Sequence, residues 1–222
     1  VSRTCLVTGA NRGIGLEVAR ELAAAGDTVI LTARDLRKAE KAVAGIRGDV
    51  VPVRLDVSDA ESVARLSLDR LDVLVNNAAI HYDTWQLAAE ADLGVVREAL
   101  ETNVLGAWQV TLAVLPLLRA SGHGRVVNVS SEAGSLASMG AGTPAYAMSK
   151  AALNALTRML AAELRGDRIL VNSVCPGWVA TDMGGPGGAP VAEGAASVLW
   201  AVNLPDNGPT GGFFRHGRPV PW

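Results

Sequence analysis

Tyr146 and Lys150 stand four residues apart in Tyr146-Ala147-Met148-Ser149-Lys150. On a helix, positions i and i+4 share a face, so an ammonium can lie beside a phenol. A free tyrosine titrates near pH ~10, too high for proton transfer at neutral pH, and a nearby cation favours the phenolate. The pair is a candidate acid/base, although a chance surface pair has the same spacing. Upstream, Arg125-Val126-Val127-Asn128-Val129-Ser130-Ser131 reads as a strand ending in two hydroxyls. Ligands bind at the carboxyl edge of a parallel sheet, where these hydroxyls would stand. Neighbouring strand residues point to opposite faces, which leaves a choice between Ser130 and Ser131. Asn103 sits among apolar neighbours in Glu101-Thr102-Asn103-Val104, where a structural hydrogen-bonder is the plain reading.

A second group lies near the start. Thr8-Gly9-Ala10-Asn11-Arg12-Gly13-Ile14-Gly15 follows a strand-like run and opens an amphipathic stretch. Glycines at 9, 13 and 15 permit φ > 0 and let a pyrophosphate approach the backbone. The following helix would offer that anion free N–H groups and a positive dipole end. A ligand-free turn can share this composition, and the spacing departs from GxGxxG. The second strand bears on NAD against NADP. In NAD sites an acid near its end bonds the ribose 2′-hydroxyl. Here the end is Leu31-Thr32-Ala33-Arg34, with Ala33 in the acid's place. Arg12 and Arg34 can flank a 2′-phosphate with bidentate contacts, which favours NADP(H) over NAD(H). Two plain surface arginines are the alternative.

These residues need a frame. Runs rich in Val, Ile and Leu occur at Thr4–Thr8, Thr28–Ala33, Val50–Leu55, Val73–Asn76, Arg125–Ser130, Ile169–Val174 and Gly211–Phe214. Without polar alternation they read as strands buried on both faces. Helical patterns fill the gaps at Ile14–Ala25, Leu36–Ala44, Ala60–Leu66, Leu93–Leu118, Ala147–Leu164 and Val191–Val202. Asp35 and either Ser58 or Asp59 read as N-caps, Gly26 and Gly45 as stops. The alternation implies right-handed βαβ crossovers and an α/β, three-layer, doubly wound Rossmann fold. Its mostly parallel seven-stranded sheet carries helices on both faces. The crossover Ser58–Arg70 has only 13 residues, near the minimum. Gly184–Pro190 reads as a mobile loop.

The chain has 222 residues and no linker-like break, so one domain over 1–222 is expected, with a substrate loop-helix segment at about 182–205. A hydrophobic share of 49% excludes a disordered chain. A net charge of −2 lacks the basic footprint of a nucleic-acid binder. No apolar run approaches the ~18 residues of a membrane span, and the opening residues lack a signal-peptide pattern. Cys5 and Cys175 form no disulfide framework and fit a reducing, cytoplasmic setting. His81, His123 and His216 are scattered, so no metal is expected.

Taken together, the ordered motifs resemble the short-chain dehydrogenase/reductase family over essentially the whole chain. They are the turn Thr8–Gly15, the pair Asp56-Val57, Asn76-Asn77-Ala78-Ala79 where the family has NNAG, Asn103, Ser131, Tyr146, Lys150, and Pro176-Gly177 followed by Thr181. The stretch Pro176–Met183 and the end Gly212-Phe213-Phe214-Arg215 look most like the carbonyl-reductase and menthone-reductase-like branch.

The resemblance implies an NADP(H)-dependent oxidoreductase moving hydride between nicotinamide and a small ketone, aldehyde or secondary alcohol. Tyr146 would be the general acid, and Lys150 would lower its pKa and hold the nicotinamide ribose. Ser131, favoured over Ser130 by the Ser-x-x-Gly pattern Ser131–Gly134, would polarise the carbonyl. Asn103 would hold a water that relays protons from Lys150. Gly9, Asn11, Arg12, Gly13, Ile14, Gly15 and Arg34 would bind the cofactor, with Asp56 and Val57 at its adenine. Asn77, Ala78 and Ala79 would line the adenosine ribose, and Pro176, Gly177, Val179 and Thr181 the carboxamide end. Tyr82, Met139 and Trp178 are candidate substrate-pocket residues.

Such enzymes are mostly dimers or tetramers. The long insertion of the monomeric branch has no room in the 15-residue step from Ser131 to Tyr146. A homodimer or homotetramer built on Leu93–Leu118 and Ala147–Leu164 is expected, with Phe213, Phe214 and Trp222 available to a partner. The lack of bulky aromatics in Gly184–Pro190 predicts an open cleft accepting several carbonyl compounds. Two other readings share the motifs. A regulator sensing NADP(H) without turnover has no need of the tyrosine. An epimerase or dehydratase relative needs more than the 39 residues after Met183.

Overall fold

The computed structural model describes residues 2–222, and Val1 lies outside them. Its strands are β1 (Thr4–Val7), β2 (Thr28–Ala33), β3 (Val50–Arg54), β4 (Val73–Asn76), β5 (Arg125–Val129), β6 (Leu170–Val174), β7 (Phe213–Arg215) and β8 (Arg218–Pro219). Its helices are α1 (Gly13–Ala24), α2 (Leu36–Val43), α3 (Ala60–Ala64), α4 (Leu93–Leu100), α5 (Ala107–Ser121), α6 (Pro144–Glu163) and α7 (Val191–Val202).

Successive strand residues enter opposite cores. Val7, Leu31, Val75, Val127 and Val174 pack with Val18 and Leu22 of α1 and Val198 of α7. Leu6, Ile30, Leu74, Val126 and Val171 pack on the other face with Val110 and Val114 of α5 and Leu153 and Leu156 of α6. Both faces are apolar because both are covered, which is why the strands show no polar alternation.

The sheet order is β3-β2-β1-β4-β5-β6-β7-β8. β1 to β7 pair in parallel, as the doubly wound expectation requires. The eighth strand is a correction to the expected seven. β8 turns back antiparallel on β7 through His216 and Gly217, at φ 47° and 74°. Two positive-φ residues make the tight turn that suits a right-twisted hairpin. A two-residue strand containing a proline leaves no hydrophobic pattern to read.

The expected helix Leu93–Leu118 is also three pieces. α4 leads into a π-helical segment, Glu101–Gly106, and then α5. The combined run Leu93–Ser121 has 29 residues and contains an 18-residue window of mean hydropathy 1.4, long and apolar enough to cross a membrane. That corrects the expectation that no run approaches such a span. Its buried side nevertheless packs on the sheet through Val110, Val114 and Leu118. Asp35 and Asp59 cap α2 and α3, accepting from Arg37 N and Glu61 N at 2.9 Å each. The order of strand addition reverses between the parallel neighbours β1 and β4, and a crevice opens at the carboxyl ends of these two strands.

Candidate active site

The glycine-rich turn leaves β1 at this crevice. Gly9 and Gly13 have φ of +62° and +58°, conformations that disfavour a side chain. A methyl on Gly9 would stand 2.9 Å from Ala78 Cα, and one on Gly15 would overlap the Asn77 amide. Asn77 Nδ2 donates to the Thr8 and Gly9 carbonyls at 2.9 and 3.1 Å. Thr8 Oγ1 accepts from Asn77 N and Ala78 N at 3.0 Å each. The Asn77 side chain therefore ties two loops together, although the residue also lines the cleft. α1 begins without a side-chain cap, so an anion meets no competing carboxylate there.

The cleft encloses about 1090 Å³. Its walls include Gly9, Asn11, Arg12, Gly13, Ile14, Arg34, Asp56, Val57, Asn77, Ala78, Ala79, Tyr146, Lys150, Pro176 and Thr181. Arg34 is exposed at the end of β2, and its carbonyl accepts from Arg54 Nε at 3.3 Å. Arg54 was missed by motif reading; only the β2–β3 register, which sets Ala33 against Arg54, brings it there. Arg12 Nη1 pairs with Asp182 Oδ2 at 2.6 Å, joining the glycine turn to the segment after Thr181. The Asp56 carboxylate turns back on its own loop, accepting from Ser58 N at 3.0 Å and Ser58 Oγ at 2.7 Å. Gly106 lets the helical run approach the Val57 backbone, where a methyl would stand 2.9 Å from the carbonyl oxygen.

At the other end of the cleft stands α6. Pro144 opens it, where a missing N–H costs nothing, three residues earlier than expected. Tyr146 is half-buried in the first turn, and Lys150 is buried one turn on. Ser131 stands beside the Tyr146 phenol and draws its pKa down, while its Oγ accepts from Ala133 N at 3.2 Å. Ser130, the serine on the cleft wall, donates to the Lys150 carbonyl at 3.4 Å. The strand alternation thus separates the two hydroxyls, and Ser131 is the one on the tyrosine. The Ser-x-x-Gly pattern has a packing reason, because a methyl on Gly134 would stand 2.7 Å from Ala151 N of α6.

Lys150 Nζ lies 5.4 Å from the Tyr146 ring centroid and donates to the Val129 carbonyl at 2.7 Å. Burial pulls it down to about 8. Burial likewise pushes the Tyr146 phenol above its ordinary range, the Ser131 hydrogen bond opposing and Cys175 and Tyr82 adding. The expected lowering of the phenol by Lys150 is absent from this geometry. The Val129 carbonyl satisfies the buried ammonium.

Asn103 lies in the π segment and is buried. Its Oδ1 accepts from Ile80 N at 2.8 Å, and its Nδ2 donates to Ile80 O at 3.1 Å and Ser149 Oγ at 2.9 Å. Both amide hydrogens are committed, so the side chain locks the β4 loop to α6, as a structural hydrogen-bonder would. A relay water would have to bond the second lone pair of Oδ1 or the main chain.

None of the three pocket candidates is on the cleft wall. The Tyr82 ring packs edge-on against Tyr146, centroids 5.1 Å apart. Met139 is half-buried on the loop before α6, outside the cleft lining. Trp178 also lies outside it, and its Nε1 donates to the Gly184 carbonyl at 2.8 Å. Gly177 and Val179 stand behind the wall; Gly177 has φ +82°, and Val179 is buried. The walls include instead Ile80, Thr102, Asp182 and Met183, which no motif marked.

Gly184–Pro190 is pinned to the chain before it, a correction to the mobile-loop reading. Ala180 N donates to Ala189 O at 2.9 Å, Ala189 N to Trp178 O at 2.8 Å, and Gly185 N to Thr181 O at 2.8 Å. Phe213 and Phe214 are buried within their own chain, against Trp222 and Trp200. They are not available to a partner.

The fold and this constellation define a short-chain dehydrogenase. The family model described as short chain dehydrogenase matches residues 3–189, and the chain belongs to that family. It is similar to carbonyl reductase (NADPH) 1 of Sus scrofa, 34% identical over 279 positions that cover 100% of this chain and 94% of the pig protein. At least 57 of those positions, the excess of 279 over 222, are pig residues with no counterpart here. It is also similar to (+)-neomenthol dehydrogenase of Capsicum annuum, 30% identical over 96% of this chain and 95% of that protein. Among solved structures it resembles an NADPH-bound carbonyl reductase from chicken fatty liver. The TM-score there is 0.87 at 30% identity, covering 100% of this chain and 99% of the other.

Proposed function

We propose that this chain is an NADP(H)-dependent oxidoreductase interconverting small carbonyl compounds and secondary alcohols. The observation that carries it is that Tyr146, with Ser131 beside its phenol, and Lys150 stand at one end of a cleft whose other end holds Arg12 and Arg34. Similarity to carbonyl reductases whose names specify NADPH supports the same reading. The turn fits a dinucleotide. Glycines keep its floor bare, α1 starts uncapped, and guanidinium groups stand at the end of β2.

NADPH, when bound, supplies the hydride. The Tyr146 hydroxyl gives its proton to the carbonyl oxygen as negative charge develops there. A phenol pushed upward by burial keeps that proton at neutral pH, which suits an acid in the reduction direction. Ser131 fixes the phenol and donates to the same oxygen. Lys150, whose Nζ lies 5.4 Å from the Tyr146 ring centroid, would hold the ribose hydroxyls of a bound cofactor. Asn103 holds the π segment against the β4 loop. Residues 182–205 form the substrate-side segment of a single domain, with Met183 facing the cleft.

Lys150 titrates at about 8, so it is a cation below that pH and neutral above it. Reduction is therefore expected to be fastest below about pH 8 and to decline as the pH rises through it. A pH profile of kcat/KM checks this. The decisive test is NADPH consumption over a panel of ketones and aldehydes. Tyr146→Phe is expected to lower kcat by about 10²–10⁴-fold with NADPH binding retained. Wild-type turnover by that variant would overturn the reading.

The buried, unpaired cysteines fit a reducing cytoplasm. The chain forms homodimers or homotetramers through the outer faces of the π–α5 run and α6, where Leu105, Leu112, Met148 and Met159 are exposed apolar side chains. Light scattering on a size-exclusion column tests that assembly; a monomer at micromolar concentration would refute it.

A further inference from the structure

The helix that carries Tyr146 lacks a cap of its own. Thr143, at the N-cap position, is left-handed at φ 51° and offers no side-chain bond. Pro144 has no N–H, and Ala147 N already donates to the Thr143 carbonyl at 2.8 Å. Two donors remain, and a single carboxylate from a distant loop takes both. Asp83 Oδ2 accepts from Ala145 N at 2.9 Å, and Asp83 Oδ1 accepts from Tyr146 N at 3.0 Å. Gln86 Nε2 adds a third bond to Oδ2 at 2.8 Å. Asp83 is 0% exposed, so it is not a solvated charge that happens to lie nearby. Its neighbour Tyr82 lays its ring edge-on against the Tyr146 ring.

We propose that Asp83 is a positioning residue for proton transfer by Tyr146, its buried carboxylate clamping the first turn of α6 to the Tyr82 loop. The clamp holds Tyr146 at two points, its own backbone N–H and, through Tyr82, its ring. The two contacts hold the phenol beside Ser131. The carboxylate also lies at the positive end of a 20-residue helix, where a negative charge is stabilised. Burial pushes the Asp83 carboxyl up, but the bonds from Gln86, Tyr146 N and Ala145 N outweigh it and hold the group below the usual range, so the clamp is ionised at neutral pH. The inference rests on the reading of Tyr146 as the acid.

Asp83→Asn keeps the volume but sets an amide N–H against one of the two helix N–H groups. Wild type, Asp83→Asn and Tyr146→Phe are compared for NADPH affinity by cofactor fluorescence and for kcat per NADPH-binding site. Misplacing a reacting group by a fraction of an ångström to an ångström costs about 10- to 100-fold. Asp83→Asn is expected to lose about tenfold or more in kcat per site while its NADPH affinity stays at the wild-type value. A purely structural residue would lower the yield or melting temperature and leave turnover per site unchanged. If Asp83→Asn does not fold, Gln86→Leu, which removes the third bond to Asp83 together with the bond from Asp92 N to Gln86 Oε1, is expected to lower kcat per site in the same direction by less. Wild-type turnover per site in Asp83→Asn, or in Gln86→Leu where that variant decides, overturns the clamp when Tyr146→Phe is inactive. A fully active Tyr146→Phe overturns instead the assignment of Tyr146 as the acid.

Discussion

The molecule has two glycine-rich segments, and they share one reason for glycine but not the other. In Gly9–Gly15 the backbone is left-handed at two positions, and the missing side chains leave the floor of the cleft bare. In Gly184–Gly188 only Gly185 has positive φ, and the missing side chains admit the chain's own backbone and the Trp178 ring. A methyl on Gly188 would stand 2.6 Å from Ala180 N, and one on Gly187 would stand 2.9 Å from the Trp178 ring. Methyls on Gly9 and Gly15 would likewise meet Ala78 and Asn77, so both segments use glycine for self-packing, and only the first also presents glycines, Gly9 and Gly13, to the cleft. Glycine content alone therefore does not indicate mobility, and the same contrast separates the cofactor half of the site from the substrate half.

The largest effect is expected in the first segment. Gly15→Val sets a branched side chain against the Asn77 amide and Ala10 Cα. Asn77 must then release the Thr8 and Gly9 carbonyls. NADPH affinity is expected to fall on the order of 100-fold or more, about 2.7 kcal/mol, in a fluorescence titration. Wild-type affinity would break the distinction at once.

Arg34→Ala sharpens the cofactor side of the comparison. Removing one charge-assisted contact to a 2′-phosphate costs about 1.5–3 kcal/mol, or roughly 10- to 100-fold in NADPH affinity. NADH, which lacks that phosphate, is expected to bind both proteins equally. Equal losses for the two cofactors would return Arg34 to the surface.

Legibility follows the same division. The turn Thr8–Gly15 is contiguous with its strand and helix, so its geometry is dictated by residues a few positions away. Tyr146 and Lys150 share one helix, and Ser131 is bound to Gly134 by a local turn. Asp83 meets Ala145 and Tyr146 across 62 and 63 residues, and no periodicity in the sequence connects them. Arg54 arrives by sheet register, Asp182 by an ion pair to Arg12, and β8 by a two-residue hairpin. The π segment escaped because its hydrophobic pattern continues that of α4 and α5; only the Asn103 hydrogen bonds mark the break. The downward shift of the phenol was misjudged because spacing reports proximity along a helix and says nothing about burial or the Val129 carbonyl that Lys150 chooses.

Gly188→Ala tests the second segment. The added methyl must displace Val179–Ala180, which leads directly into Thr181 on the cleft wall. Overpacking of this kind costs about 1–3 kcal/mol. The melting temperature is expected to fall by several degrees, ~2–4 °C for each kcal/mol at this chain length. The carbonyl KM is expected to rise more than the NADPH dissociation constant. An unchanged melting temperature would mean that the segment yields freely, and the mobile-loop reading would stand again.

The smallest effect belongs to Gly185, three residues away. Its φ is +73°, yet nothing lies within 4 Å of an added methyl. Gly185→Ala therefore isolates backbone conformation from packing. A non-glycine residue in the left-handed region costs about 1–2 kcal/mol. Loss of glycine's freedom in the unfolded chain returns roughly 0.4–1 kcal/mol of that. The net change is expected to be about 1 kcal/mol or less, read as a small drop in melting temperature with kcat and KM unchanged. If turnover fell while stability held, the segment would have to leave this conformation during the reaction. Gly185 would then mark a hinge in a chain otherwise held by the bonds from Ala180, Gly185 and Ala189.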